Sequence, residues 1–210
     1  KVEISSKYDF PSLFKKMAVA SPDNPHPLTV KKGIELGVER GEFSHFLLDN
    51  YDGWERLYGV DKYECDGIRD HEMYIKTVES FHSRYRRVGC NIYYTLLKLK
   101  FSEAVEVVKD ESFDFIFIDG GEGFEEGKTL SDWYPKVRDG GIFAGRAYDE
   151  KFPNQIKFLD RFLADNNLTD KLNILQEAPR HLCGTGTGLQ PGPPSCPKYK
   201  DFVRNWYLIK

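Results

Sequence analysis

Apolar positions along the chain fall into blocks of two kinds. Ile34 to Val38 is a short apolar run that reads as a strand, and Phe113 to Ile118 is apolar on both faces, as a central parallel strand must be. Arg56 to Val60, closed by Asp61, and Asn91 to Leu97, rich in β-formers, read as two more strands. Gly140 and Gly141 open a fifth in GGIFAGRAY, and Leu172 to Gln176 and Asn205 to Ile209 read as a closing pair. Between these runs the period changes to that of a helix. Phe43, Phe46, Leu47 and Tyr51 share one stripe, and Ile75, Val78, Phe81, His82 and Tyr85 share another within 68–87. Leu130, Trp133 and Val137 mark a crossover over 123–138, and Ile156, Leu159, Phe162 and Leu163 mark a helix from Asn154 to Asp165. Ser102 is placed to cap a short helix through Val108, and Pro11 to occupy the first turn of one through Met17. Strand–helix alternation of this kind predicts an α/β fold, a parallel sheet covered on both faces. Residues 1–30 read as a helical arm and loop, and 31–210 as one domain.

In such sheets ligands bind at the C-terminal strand ends. Glu35, Asp61, Asp119 and Arg146 all fall at or near that edge. The first crossover turns on Gly37 and Gly41, which accept backbone angles closed to other residues and carry no side chain to hold a ligand off. The helix that follows offers its N-terminal N–H groups to an anion. Asp61, at the end of the second strand, is placed to accept both hydroxyls of a ribose. The plain alternative is a glycine turn in an ordinary crossover with an acid that caps a helix.

Bulk properties narrow the class. The chain has 210 residues, 40% hydrophobic and 30% charged, with a net charge of −3. A pI near 6.0 and a mean hydropathy of −0.54 describe a globular protein without broad affinity for nucleic acid or membrane surfaces. No apolar run reaches the roughly 20 residues of a membrane span. The opening KVEISSKYDF is not a signal peptide, and the chain lacks an initiator Met, so a targeting segment ahead of Lys1 is not excluded. The four cysteines, at 65, 90, 183 and 196, lack zinc-site spacing. Reduced thiols in a cytoplasmic protein are the simple reading; a Cys183–Cys196 disulfide across the Gly/Pro loop is the alternative. The oligomeric state is open, a homodimer included.

The motifs in order, ELGVERGEFS at 35–44, GVDKY at 59–63, FDFIFIDGG at 113–121 and DWYPKVRDGGIFAG at 132–145, with NWYLIK at the end, resemble the class I S-adenosylmethionine-dependent methyltransferases. The resemblance is to the branch that holds many small-molecule O-methyltransferases. It implies a Rossmann-like, doubly wound, mostly parallel seven-stranded sheet with helices on both faces and an antiparallel last strand. It also implies that Gly37, Gly41 and Glu35 lie near the methionine part of the cofactor, that Ser44 belongs to the cofactor site, that Asp61 holds the ribose, that Ser102 lies near the adenine and that Asp119 faces the methyl donor or acceptor.

Two positions depart from the family pattern. Gly121, Glu122 and Gly123 stand where relatives often carry a His after IDG, and Arg146 and Ala147 stand where they often carry His-Asp. Asp119 and Glu122 alone make a poor magnesium site, so no obligatory metal is expected. The expected reaction is methyl transfer to a hydroxyl of a small molecule. Asp119, Glu122 and His181 are the candidate bases, and Arg146 and Tyr148 candidate acceptor contacts. The arm and the loop at 184–197 are expected to wall the acceptor pocket. Two rivals stand beside this reading: a degenerate fold that binds the cofactor or a partner without the chemistry, and a nicotinamide-dependent oxidoreductase, which the missing GxGxxG disfavours.

Overall fold

The computed structural model describes residues 6–20, 27–64, 68–85, 93–120, 128–175 and 204–210. Seven strands form one sheet: β1 (Lys32–Leu36), β2 (Arg56–Asp61), β3 (Tyr93–Lys98), β4 (Phe113–Ile118), β5 (Val137–Gly145), β6 (Asn173–Leu175) and β7 (Asn205–Ile209). Their order is β3-β2-β1-β4-β5-β7-β6. β1 to β5 pair in parallel, and β7 runs antiparallel to both of its neighbours. The expected doubly wound, Rossmann-like α/β sheet is the one observed.

Side-chain alternation feeds two apolar layers. Ile34, Leu36, Val60, Ile116, Ile118, Phe143, Trp206 and Leu208 face one side of the sheet. There they meet α4 (Phe101–Ala104), α5 (Lys128–Trp133) and α6 (Pro153–Asp165). Leu57, Phe115, Phe117, Ile142 and Ala144 face the other side, under α1 (Phe10–Met17), α2 (Glu42–Asn50) and α3 (Ile68–Tyr85). Fully burying side chains of this size contributes about 1.5–3 kcal/mol each. β4 carries both layers, and all six of its residues are buried.

The N-terminal arm belongs to this core. Phe10 and Phe14 are fully buried, with ring centroids 5.1 and 5.0 Å from Phe115. α1 therefore covers the centre of the sheet instead of hanging from it. A 3₁₀ turn, Lys7–Asp9, leads into α1 and is closed by Asp9 N–H donating to the Ser6 carbonyl and Ser6 N–H to the Asp9 carboxylate.

Several expected boundaries shift. β1 ends at Leu36, before Val38, because Gly37 already turns the chain. β5 starts at Val137, ahead of Gly140; its pairing with β4 slips between Phe113 and Phe115, and Gly140 takes φ +76° inside the slip. On α3, Ile75 and His82 are exposed, and the buried stripe runs through Thr77 and Phe81. Lys100, not Ser102, caps α4, and its N–H donates to the Glu103 carboxylate at 2.9 Å.

Candidate functional site

Three backbone bonds align the strand tips. Gly37 N–H donates to the Val60 carbonyl (2.8 Å), Asp119 N–H to Leu36 (2.7 Å) and Arg146 N–H to Ile118 (2.9 Å). The ends of β1, β2, β4 and β5 thereby form one ledge. Gly37 leaves β1 at φ +93°, and a Cβ there would overlap the Asp119 carbonyl. Gly41 opens α2 at φ +76°, with the Phe81 ring against the place a Cβ would take. Both glycines are required by close approach as well as by backbone angle.

The turn between them is pinned from two sides. Glu39, itself at φ +49°, donates its N–H to Asp61 Oδ2 (2.9 Å). Its carbonyl accepts from the Tyr63 hydroxyl (2.7 Å) and from Thr77 Oγ1 (3.2 Å). The other Asp61 oxygen accepts the Tyr63 N–H at 2.9 Å. A carboxylate offers about four lone-pair directions, so these bonds leave half of its capacity for a ligand. Burial, with Asp61 next, holds the Tyr63 phenol well above its ordinary value, so it stays protonated and keeps donating.

Glu35 lies beneath the turn, 2% exposed, and accepts from the Ser44 hydroxyl. Burial pushes its carboxyl from 4.5 up to about 8; the Ser44 bond opposes the rise, and the nearby Asp119 carboxylate adds to it. Ser44, fully buried, orients Glu35.

Asp119 is held by two cations, Lys7 Nζ at 2.8 Å and Arg146 Nη1 at 3.2 Å. Burial disfavours its charge, but Lys7 and then Arg146 outweigh burial, and its carboxyl sits below the usual carboxylate value. The Lys7 ammonium is likewise disfavoured by burial, yet Asp119 more than compensates and holds its pKa above the ordinary value. Lys7 comes from the arm, 112 positions away in sequence, and its ammonium also lies over the rings of Phe43 (4.9 Å) and Phe117 (5.6 Å). Nothing in the local sequence marks it: a lysine three positions ahead of a helix reads as a solvated charge.

Glu35, Gly37, Gly41, Ser44, Asp61, Asp119 and Arg146 are thus drawn to one edge. Ser102 is exposed on α4, where its neighbour Phe101 puts its ring against Gly120 instead. Tyr148 turns away: its hydroxyl donates to Asp160 on α6 at 3.1 Å. The cause is Ala147, at φ +72°, which swings the chain between Arg146 and Tyr148. Glu122, His181, the 184–197 loop, Cys183 and Cys196 lie outside the described residues. Among the described residues no three His, Cys, Asp or Glu side chains cluster as a metal site would need.

Residues 34–145, more than half of the chain, match a family described as Methyltransferase domain. The chain belongs to that family. This methyltransferase has no match among curated protein sequences. Solved structures share its fold. A tRNA methyltransferase from Aquifex aeolicus is 15% identical, with TM-score 0.57 over 100% of this chain and 70% of that one. A SAM-dependent O-methyltransferase from Thermotoga maritima is 16% identical, with TM-score 0.56 over 98% and 71%. A spermidine synthase from the same organism is 14% identical, with TM-score 0.53 over 96% of this chain and 59% of that one. By its family this chain is a methyltransferase of the S-adenosylmethionine-dependent kind, and the solved structures share its fold. Its own ledge fits that nucleoside: a glycine turn without side chains, an acid with lone pairs to spare at the second strand tip, and a buried carboxyl below. No helix among the described residues is long and apolar enough to cross a membrane.

Proposed function

We propose that this methyltransferase transfers the methyl group to an oxygen of a small-molecule acceptor. Bound S-adenosylmethionine supplies a methyl carbon already activated on a sulfonium. What remains for the chain is to hold acceptor and donor in line, and to keep water out. In this reading Asp61 takes the ribose hydroxyls with its remaining lone pairs. The backbone from Gly37 to Gly41 passes along the methionine part, and Glu35 supports that turn from beneath through its bond to Ser44. Asp119 and Arg146 stand on the acceptor side.

One observation carries the reading: in a chain of the methyltransferase family, the Gly37 turn, Asp61 and Asp119 share one ledge. The net charge of −3 favours a small acceptor over nucleic acid. The proposal includes a cytoplasmic setting with reduced cysteines.

Isothermal calorimetry with S-adenosylhomocysteine tests the reading directly. The wild type is expected to bind, and Asp61→Ala to lose at least about tenfold in affinity, since a hydrogen bond to a charged group is worth about 1.5–3 kcal/mol. Absence of heat with the wild type would overturn it.

A further inference from the structure

Two cations converge on one carboxylate at the acceptor side. Lys7 and Arg146 both pair with Asp119, and their side chains are 15% and 45% exposed. The group is left with one positive charge in surplus, and it is a guanidinium at the open side. With 45% of its side chain exposed, that guanidinium is open to a ligand while still paired with Asp119. A guanidinium fork suits a carboxylate or another anionic oxygen in bidentate fashion.

The same ledge has no described group suited to take a proton from a neutral hydroxyl. Asp119 is committed to its two cations. Asp61 receives the Glu39 and Tyr63 N–H groups. Glu35 is sealed beneath the turn against Ser44. The Tyr63 hydroxyl donates to the Glu39 carbonyl. His45, the nearest described imidazole along α2, is stacked on Phe81 at 3.9 Å, with its ring nitrogens on Tyr85 and Ser80.

Lys7 is also a built feature and no chance surface contact. Its turn is closed by the reciprocal Ser6–Asp9 bonds, and the next helix is nailed to β4 by Phe10 and Phe14. The fold thus delivers a second cation, from the far end of the chain, to the carboxylate on which Arg146 already sits.

We infer that the acceptor oxygen is one already ionised at neutral pH, a carboxylate or an acidic phenolate, and that Lys7 is a specificity-determining residue which holds it together with Arg146. The inference rests on the methyl-transfer reading above. The step then balances without a base. A lone pair of the anionic oxygen forms the O–CH₃ bond as the C–S bond breaks, and that bonding pair stays on sulfur. One negative and one positive charge become a neutral ester or ether and a neutral thioether, and no proton moves.

The test uses the full chain saturated with S-adenosylhomocysteine, whose own uptake checks the underlying reading. Benzoate, hexanoate and 4-nitrophenolate are titrated in parallel with benzyl alcohol and hexanol. The anions are expected to bind at least about tenfold more tightly than their neutral counterparts, the scale of one charge-assisted pair. Lys7→Met should remove most of that preference while S-adenosylhomocysteine affinity stays within about twofold, and Lys7→Arg should restore part of it. Arg146→Met provides an independent second variant should Lys7→Met fold poorly. Transfer of a labelled methyl group then separates the two sources, because a methyl ester releases its label as methanol in alkali and an aryl ether does not. If S-adenosylhomocysteine binds but the neutral compounds bind as well as the anions, or no anion binds, or Lys7→Met leaves the preference intact, the inference falls and the methyl-transfer reading stands. If S-adenosylhomocysteine does not bind, both fall.

Discussion

Glu35 is a carboxyl group kept in its neutral form by burial, and that makes it a source of pH-dependent stability. Its folded pKa is raised from 4.5 to about 8. Between those values the folded chain holds a proton that the unfolded chain has released. The contribution is therefore full below the ordinary value and is lost as pH rises through about 8. Asp119, held below its ordinary value, works the opposite way and contributes at higher pH. Urea midpoints at pH 5, 7 and 9 should show the wild type losing stability relative to Glu35→Gln as pH rises. Parallel curves would remove the burial account. Gly37 sets a stricter limit. Gly37→Ala adds a left-handed penalty of about 1–2 kcal/mol, before any clash with the Asp119 carbonyl is counted. Chemical denaturation should show at least that loss, and calorimetry a loss of nucleoside binding in whatever folded protein remains. The place of Asp61, Gly37 and Gly41 at the strand tips is legible in the sequence because local turn geometry sets it. The place of Lys7 is not, because its partner is fixed only by tertiary packing; nor is the bond from Tyr148 to Asp160, because a left-handed Ala147 leaves no compositional trace.

Among the elements, strands with a continuous apolar run are the most legible. β4 and β7 begin and end where their apolar runs do. Boundaries moved where pairing, and not hydropathy, sets the end, as at Leu36 and Val137. The buried stripe of α3 is narrower than its apolar pattern predicts. From the buried Thr77, Ile75 lies some 200° round the helix at about 100° per residue, so it faces water. Polar Thr77 meanwhile earns its burial by donating to Glu39. The first helix has the largest mechanical role of the elements outside the sheet. Phe14→Ala should cost about 3–5 kcal/mol by cavity formation over Phe115, read as a drop in urea midpoint. The same substitution should loosen the Lys7–Asp119 pair, since α1 is what holds it in place.

For the whole molecule, one sheet serves both apolar layers, so unfolding is expected to be a single transition seen alike by far-ultraviolet and fluorescence signals. A ligand on the ledge touches the turn after β1 and the tips of β2 and β4, and so stabilises elements on both sides of that sheet. At a concentration of S-adenosylhomocysteine about 100 times its Kd, linkage adds about 2.7 kcal/mol. For a chain of this size that corresponds to a rise in Tm of roughly 5–10 °C. A scan with no shift, in a protein that binds calorimetrically, would place the ligand away from the ledge.

The three indoles divide unevenly about the sheet. Trp54 lies on the side of α1 and α2, where it donates to the Leu47 carbonyl, while Trp133 and Trp206 lie wholly inside the opposite layer. Each layer thus has its own intrinsic fluorophore. Replacing Trp54 with Phe would leave emission from one half of the interior only, and stopped-flow refolding of that variant beside the parent would reveal in which order the two halves close.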